Sequence, residues 1–204
     1  MGKHLWMIPV LAVCLATWLS GCKRSAVIEM PPLDGVIVAY GDSLTSGSGA
    51  SAGEDYPSVL EQLSGRRVIN AGVPGERSAE GLRRLPEVLA DHRPDLVILC
   101  HGGNDILADA DPEQISANLA KMIAMIREAG SEVVLLGVPA KGLILRSPGF
   151  YRDLAGEYGI PYEGRIVPRI LSNSALKSDY VHPNTRGYER MAEEIWEFIR
   201  SAAR

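Results

Sequence analysis

From residue 36 onward, short runs of β-branched and aliphatic residues alternate with longer stretches whose apolar residues return every three or four positions. This alternation restricts the possible folds more than any other feature of the chain. The short runs lie at 36–40, 67–70, 95–100, 132–138 and 160–162. They are apolar on both faces, as strands covered on two sides must be. The stretches at 56–63, 79–92, 112–129, 151–158 and 185–202 read as helices. The clearest is 112–129, where Asp111 stands at the N-cap, Pro112 at the first helical position and Gly130 just past the end. Ile115, Leu119, Met122, Ile123 and Ile126 form one stripe on it at helical spacing, which is a core face and not a cofactor box. Pro86, inside 79–92, is expected to bend or split that helix. Strands alternating with helices give a parallel sheet of about five strands between two helical layers, a three-layer α/β/α sandwich. Ligands in such folds bind beyond the carboxyl ends of the strands, where the strand order reverses.

The N-terminal residues are of a different kind. Residues 1–21 carry Lys3 and an apolar run at 5–19, shorter than the roughly 20 residues a membrane span requires. Its size and flanks are those of a signal-peptide core. The run closes on Leu19-Ser20-Gly21-Cys22, which resembles a bacterial lipobox and implies cleavage before Cys22 and a lipid on Cys22. Lys23 stands where an aspartate would resemble an inner-membrane retention signal, so the expected location is the outer membrane, with the domain facing the periplasm or the cell surface. Residues 22–34 then form the lipidated cysteine and a tether, which at about 3.3 Å per residue spans about 40 Å when extended. Residues 35–204 are left as one domain, large enough to bury a core without crosslinks. Of the three cysteines, Cys14 leaves with the signal and Cys22 carries lipid. Cys100 remains as a small buried hydrophobe, and no disulfide can form although the implied compartment is oxidising. The net charge of −4 and the lack of a basic stripe argue against nucleic acid as a partner. The expected partners are a small ester or lipid substrate and the membrane; the sequence identifies no protein partner.

Four segments follow strands or precede the last helix: Gly41-Asp42-Ser43-Leu44-Thr45, Asn70-Ala71-Gly72, Gly102-Gly103-Asn104-Asp105 and Asp179-Tyr180-Val181-His182-Pro183. A serine hydroxyl attacks a carbonyl only when a neighbouring base takes its proton, and that base needs a third group to hold its orientation. Three histidines follow the signal segment. His92 closes a helix, where a cation meets the helix dipole favourably, and His101 ends a strand. His182 has Asp179 three residues before it and Pro183 after it, so it alone combines an orienting acid with a restricted backbone. The reaction also builds charge on an oxygen, which needs donors already aimed at it. Gly72 can bring a backbone N–H close to a substrate, Asn104 can donate from its amide, and the N–H of Ser43 is a third donor.

In this order and on these elements, the four segments resemble the SGNH/GDSL hydrolases, and the overall pattern is similar to their bacterial thioesterase, lysophospholipase and arylesterase branch. The resemblance runs from Gly41 to Pro183. It implies a flavodoxin-like α/β/α fold, Ser43 as nucleophile, an Asp179–His182 pair, and Ser43, Gly72 and Asn104 around the oxyanion. His101 stands where such sequences often carry an apolar residue. It reads as a structural histidine, and no acid precedes it at a spacing that would make it the base.

Two other patterns lead nowhere. The glycines of Gly47-Ser48-Gly49-Ala50-Ser51-Ala52 begin well past Tyr40, too late for a dinucleotide-binding turn, and read as a flexible loop beside the site. Asp105, Asp109 and Asp111 lack calcium-loop spacing, so no metal site is expected, and the chemistry requires no cofactor. The expected activity is hydrolysis of short-to-medium acyl or aryl esters or thioesters through an acyl-enzyme. A lipid-directed lysophospholipase or thioesterase and a non-catalytic envelope lipoprotein are the alternatives. Leu143, Ile144, Leu145 and Phe150 fall in one stretch after the fourth strand, as an acyl-chain groove, a lid or core would require.

Overall fold

The computed structural model of the chain describes residues 26–204, so the expected signal segment 1–21 and Cys22 lie outside the described residues. Five parallel strands form one sheet: β1 (Val36–Gly41), β2 (Arg67–Gly72), β3 (Leu96–Cys100), β4 (Glu132–Leu136) and β5 (Tyr162–Glu163), in the spatial order β2-β1-β3-β4-β5. Ile37, Val38, Ala39, Ile98 and Leu99 are fully buried, as the two-faced apolar runs require. Among the described residues, eight α-helices connect and flank the strands: α1 (Ser43–Ser46), α2 (Tyr56–Ser64), α3 (Ser78–His92), α4 (Gly103–Leu107), α5 (Pro112–Glu128), α6 (Gly149–Tyr158), α7 (Ile166–Ser172) and α8 (Thr185–Ala202). Helix α2 packs on α8, while α3 packs on α5, which also meets α6, giving the two outer layers of the sandwich.

After β1 the chain turns to one side to make β2, then crosses β1 to make β3. The order therefore reverses between β1 and β3, and their carboxyl ends converge there. Gly41 makes that convergence possible. A Cβ on it would lie 2.1 Å from the carbonyl oxygen of Cys100 and 2.3 Å from Thr45 Oγ1.

Helix α5 begins as the sequence indicates, with Asp111 accepting from the Glu113 N–H and Pro112 in the first turn. Its stripe from Ile115 to Ile126 is buried, and Gly130 takes φ +82° just beyond it. Cys100 is fully buried as a free thiol. Pro86 does not split its helix. α3 runs unbroken from Ser78 to His92, and Pro86 lies on its exposed side, where the carbonyl it leaves unpaired can meet water.

The boundaries of the sheet's far edge shift. β4 stops at Leu136 and not at residue 138, and β5 is the pair Tyr162–Glu163, displaced toward the C-terminus from 160–162. Pro161 has no N–H to give a ladder, yet its carbonyl accepts from the Leu135 N–H at 3.0 Å. The expected tether is also shorter than residues 22–34. Ile28 is buried, takes the N–H of Arg204 and donates to the carbonyl of Ala202 at 3.0 Å. The Arg66 Nε–H holds the Pro31 carbonyl at 2.7 Å. The body of the domain therefore begins at Ile28 and not at residue 35. Aliphatic residues inside a proline-rich segment offered burial that its lack of periodicity concealed.

Candidate active site

Ser43 opens α1 immediately after β1. Its helix is capped by Asp42, whose carboxylate accepts from the Leu44 N–H at 3.1 Å and from Gly103, tying the first segment to the third. Burial raises the Asp42 carboxyl above the ordinary carboxylate range, although His101, His182 and these two N–H groups partly oppose it. His182 arrives from the loop between the 3₁₀ turn at Ser174–Leu176 and α8. That loop is braced by a bridge between Lys177 and Pro183, by the Ser178 N–H on the His182 carbonyl at 3.0 Å, and by Asn184 capping α8. The Gly47–Ala52 segment packs against the same loop. A Cβ on Gly49 would fall 2.2 Å from Ser178 Oγ, so the glycine is needed for close approach as well as for its φ of +96°.

These elements place three of the expected side chains in a line. His182 Nε2 lies 3.0 Å from Ser43 Oγ, and His182 Nδ1 lies 2.8 Å from Asp179 Oδ2. The other carboxylate oxygen of Asp179 accepts the N–H groups of Val181 at 2.8 Å and His182 at 2.9 Å. Burial works against ionisation of Asp179. The His182 ring and the two backbone donors outweigh it and hold the carboxyl below its ordinary value. An ionised carboxylate can only accept, so Nδ1 must carry the imidazole proton and Nε2 is free to accept from the Ser43 hydroxyl. The arrangement can deprotonate Ser43 and return that proton elsewhere.

Ser43, Asn104 and His182 open into a cavity of about 670 Å³, walled on its apolar side by Leu44, Leu107, Val138, Leu143, Leu145 and Leu171. Part of the 139–148 loop thus lines a groove beside Ser43. Among the described residues, no group of three or more His, Cys, Asp or Glu side chains is placed to hold a metal.

The donors expected around an oxyanion divide. Ser43 is the first residue of α1, so its N–H is one that a helix leaves unpaired. Asn104 Nδ2 donates one N–H to the Glu76 carbonyl at 3.0 Å, which aims the amide and leaves its second N–H available. Gly72 does not fit its expected role. Its N–H is taken by Asn70 Oδ1 at 3.0 Å, and its lack of a side chain serves packing, since a Cβ would lie 2.2 Å from the Ser46 nitrogen. Gly75 is the glycine that fits. It precedes the residue whose carbonyl holds Asn104, has φ +80° with open space around a Cβ position, and its N–H finds no acceptor among the described residues. Both glycines follow the strand expected at 67–70, and only the structure shows which of the two keeps a free N–H.

Behind Asn104 lies a buried charged cluster that sequence reasoning did not assemble. The Glu76 carboxylate receives Arg84 Nε at 2.8 Å and Nη2 at 2.7 Å, and His101 Nε2 at 3.1 Å. Burial would raise the Glu76 carboxyl, but hydrogen bonds from Arg84 and His101 bring it from the usual 4.5 down to about 2. His101 is fully buried, and its Nδ1 accepts from the Gly102 N–H at 2.9 Å, so Nε2 carries the proton it gives to Glu76. His101 thus braces the segments bearing Gly75 and Asn104 and is not among the residues that line the cavity of Ser43. Asp105 adds a second brace by accepting the N–H and hydroxyl of Ser78 at 2.7 and 2.8 Å.

Known proteins resemble the chain in sequence and in fold. The chain matches the model of the GDSL-like lipase/acylhydrolase family over residues 39–190. An arylesterase of Vibrio mimicus is 36% identical over 202 residues, covering 93% of this chain and 96% of its own. Esterase TesA of Pseudomonas aeruginosa is 29% identical over 201 residues, covering 91% of this chain and 98% of its own. A crystal structure of TesA superposes with a TM-score of 0.72 at 27% identity, covering 82% of this chain and 99% of that one. With its serine, histidine and aspartate aligned at the end of β1, the chain belongs to the GDSL-like lipase/acylhydrolase family and is a serine esterase.

Proposed function

We propose that Ser43 is the nucleophile toward short-to-medium acyl and aryl esters and thioesters, with His182 as its base and Asp179 holding the base. The observation that carries this reading is the unbroken Ser43–His182–Asp179 relay at 3.0 and 2.8 Å, opening into an apolar cavity. Ser43 Oγ attacks the carbonyl carbon as His182 Nε2 takes its proton. The resulting oxyanion is met by the N–H of Ser43, the free amide N–H of Asn104 and the N–H of Gly75. His182 then protonates the departing alcohol or thiol, and later takes a proton from the water that releases the acyl group. The names of the relatives, arylesterase and esterase, favour this class of substrate. The intact relay weighs against a non-catalytic envelope lipoprotein. Lipid substrates, lysophospholipids or long-chain acyl thioesters, form the second reading, supported by the apolar wall of the cavity and by a relative named thioesterase 1/protease 1/lysophospholipase L1.

A serine-directed phosphonate is expected to add to one residue, Ser43, and to abolish ester turnover in proportion to labelling. A chain-length series of nitrophenyl esters and acyl-CoAs then separates the two substrate readings. Full activity after complete labelling of Ser43 would refute the proposal.

We also propose that residues 1–21 are a signal, that Cys22 is acylated, and that the protein is an outer-membrane lipoprotein facing the periplasm or the cell surface. The support is the Leu19-Ser20-Gly21-Cys22 segment followed by Lys23. Several acyl chains, at about 0.8 kcal/mol per buried CH₂, hold a protein on a membrane durably. The residues between Cys22 and Ile28 would then connect the lipid to the domain. Cys22→Ala is expected to abolish acylation, as read by intact mass, while leaving turnover of soluble esters unchanged. A mature wild-type chain that begins at another residue would overturn the assignment.

A further inference from the structure

The mouth of the Ser43 cavity is rimmed by side chains that nothing in the fold covers. Leu143 and Ile144, consecutive in the loop between β4 and α6, are 103% and 70% exposed, and Tyr180 in the histidine loop is 90% exposed. Leu143 and Tyr180 line the cavity that contains Ser43. A lone exposed leucine needs no explanation, but an apolar pair and a tyrosine gathered at the entrance to a catalytic cavity form a patch with a use.

Beside the rim lies a second cleft, of about 640 Å³, which shares Leu145 and Ser172 with the first. Its walls carry Arg146, Arg165 and Arg169. Arg169 is paired with Glu194. Glu163, which also lines the cleft, accepts the backbone N–H groups of Arg165 and Ile166. The guanidinium groups of Arg146 and Arg165 make no ion pair or hydrogen bond among the described residues.

We propose that this rim and cleft dock the enzyme on an anionic lipid bilayer, from which Ser43 draws its ester. Apolar side chains that enter the acyl boundary, together with basic groups that meet phosphates, are the two ingredients of interfacial binding. A tyrosine, apolar in body and polar at its tip, suits the same boundary. The forked guanidinium matches the geometry of a phosphate. Charge complementarity is local, because the chain as a whole carries −4 and the two unpaired arginines stand beside the apolar tip. A protein seated on this rim would close the mouth of the cavity, whereas a bilayer delivers substrate into it.

The inference rests on the esterase reading for its assay, and the test separates the two. In the full-length protein, Ile144→Glu is expected to leave turnover of a water-soluble short-chain nitrophenyl ester within about twofold. It should lower turnover of a long-chain ester held in phosphatidylcholine–phosphatidylglycerol vesicles by about tenfold. Arg146→Ala with Arg165→Ala should remove the rate advantage of these vesicles over pure phosphatidylcholine, again by about tenfold. Unchanged rates on vesicles, or equal losses on both substrates, would overturn the proposal. A wild-type protein inert toward the soluble ester would refute the esterase reading alone. Docking is then read without catalysis, from a polarity-sensitive dye on Ile144→Cys. A blue shift on adding the anionic vesicles is the expected result, and its absence counts against the docking surface.

Discussion

Replacing Ser43 or His182 by alanine is expected to lower ester turnover by about 10⁴-fold or more, and replacing both should cost little beyond either alone. The reason is in the geometry. Ser43 Oγ and His182 Nε2, 3.0 Å apart, perform one proton transfer, so removing either group removes the whole step. Asp179 acts through His182, holding Nδ1 at 2.8 Å, and Asp179→Asn should therefore impair turnover strongly by favouring the wrong tautomer. The alanine variants should fold, because Ser43 Oγ has its partner in His182 and both residues lie in the opening of a cavity. Steady-state turnover of a nitrophenyl ester, with folding checked by thermal denaturation, decides the matter. A folded Ser43→Ala protein that keeps a tenth of wild-type activity would end the assignment. A double variant far worse than either single would show two independent functions where the structure places one.

Asn104→Ala is expected to lower kcat by about 10²–10³-fold, or about 2.7–4 kcal/mol of transition-state stabilisation, with a much smaller change in KM. The Asn104 amide is aimed by its bond to the Glu76 carbonyl, so its second N–H is fixed before any charge develops on substrate oxygen. Preorganisation of that kind favours the transition state over the ground state, which is why the effect should fall on kcat. A rise in KM at unchanged kcat would make Asn104 an ordinary binding residue. Glu76 and His101 stand behind this donor and touch no reacting atom. They hold the two segments on which Gly75 and Asn104 lie.

The relay residues were legible because each carries a local signature. Ser43 follows the first strand in a Gly-Asp-Ser segment, and Asp179 precedes His182 at a spacing that lets a carboxylate reach the ring. Strands β1 to β4 and the five longer predicted helices were legible from periodicity, since burial on both faces or on one stripe leaves a repeating pattern. The short helices α1, α4 and α7 were not, because four to seven residues hold too few turns to show a period. Pro86 shows the limit of a local rule, as its cost to the helix depends on whether the freed carbonyl faces water.

The sequence by itself determined the layered α/β/α architecture and the positions of Ser43, Asp179, His182 and Asn104 at the ends of elements. These follow from interactions among residues close together in the chain or from burial that repeats along it. Only the tertiary structure decided which glycine carries a free N–H beside Asn104, because Gly72 and Gly75 differ in what lies across from them and not in kind. It also brought Glu76, Arg84 and His101 into one buried cluster and docked Ile28 against Ala203. It set the basic cleft beside the cavity of Ser43. Each of these joins residues far apart in sequence, and such contacts are fixed by how the layers close on the sheet, for which a single chain read end to end holds no local trace.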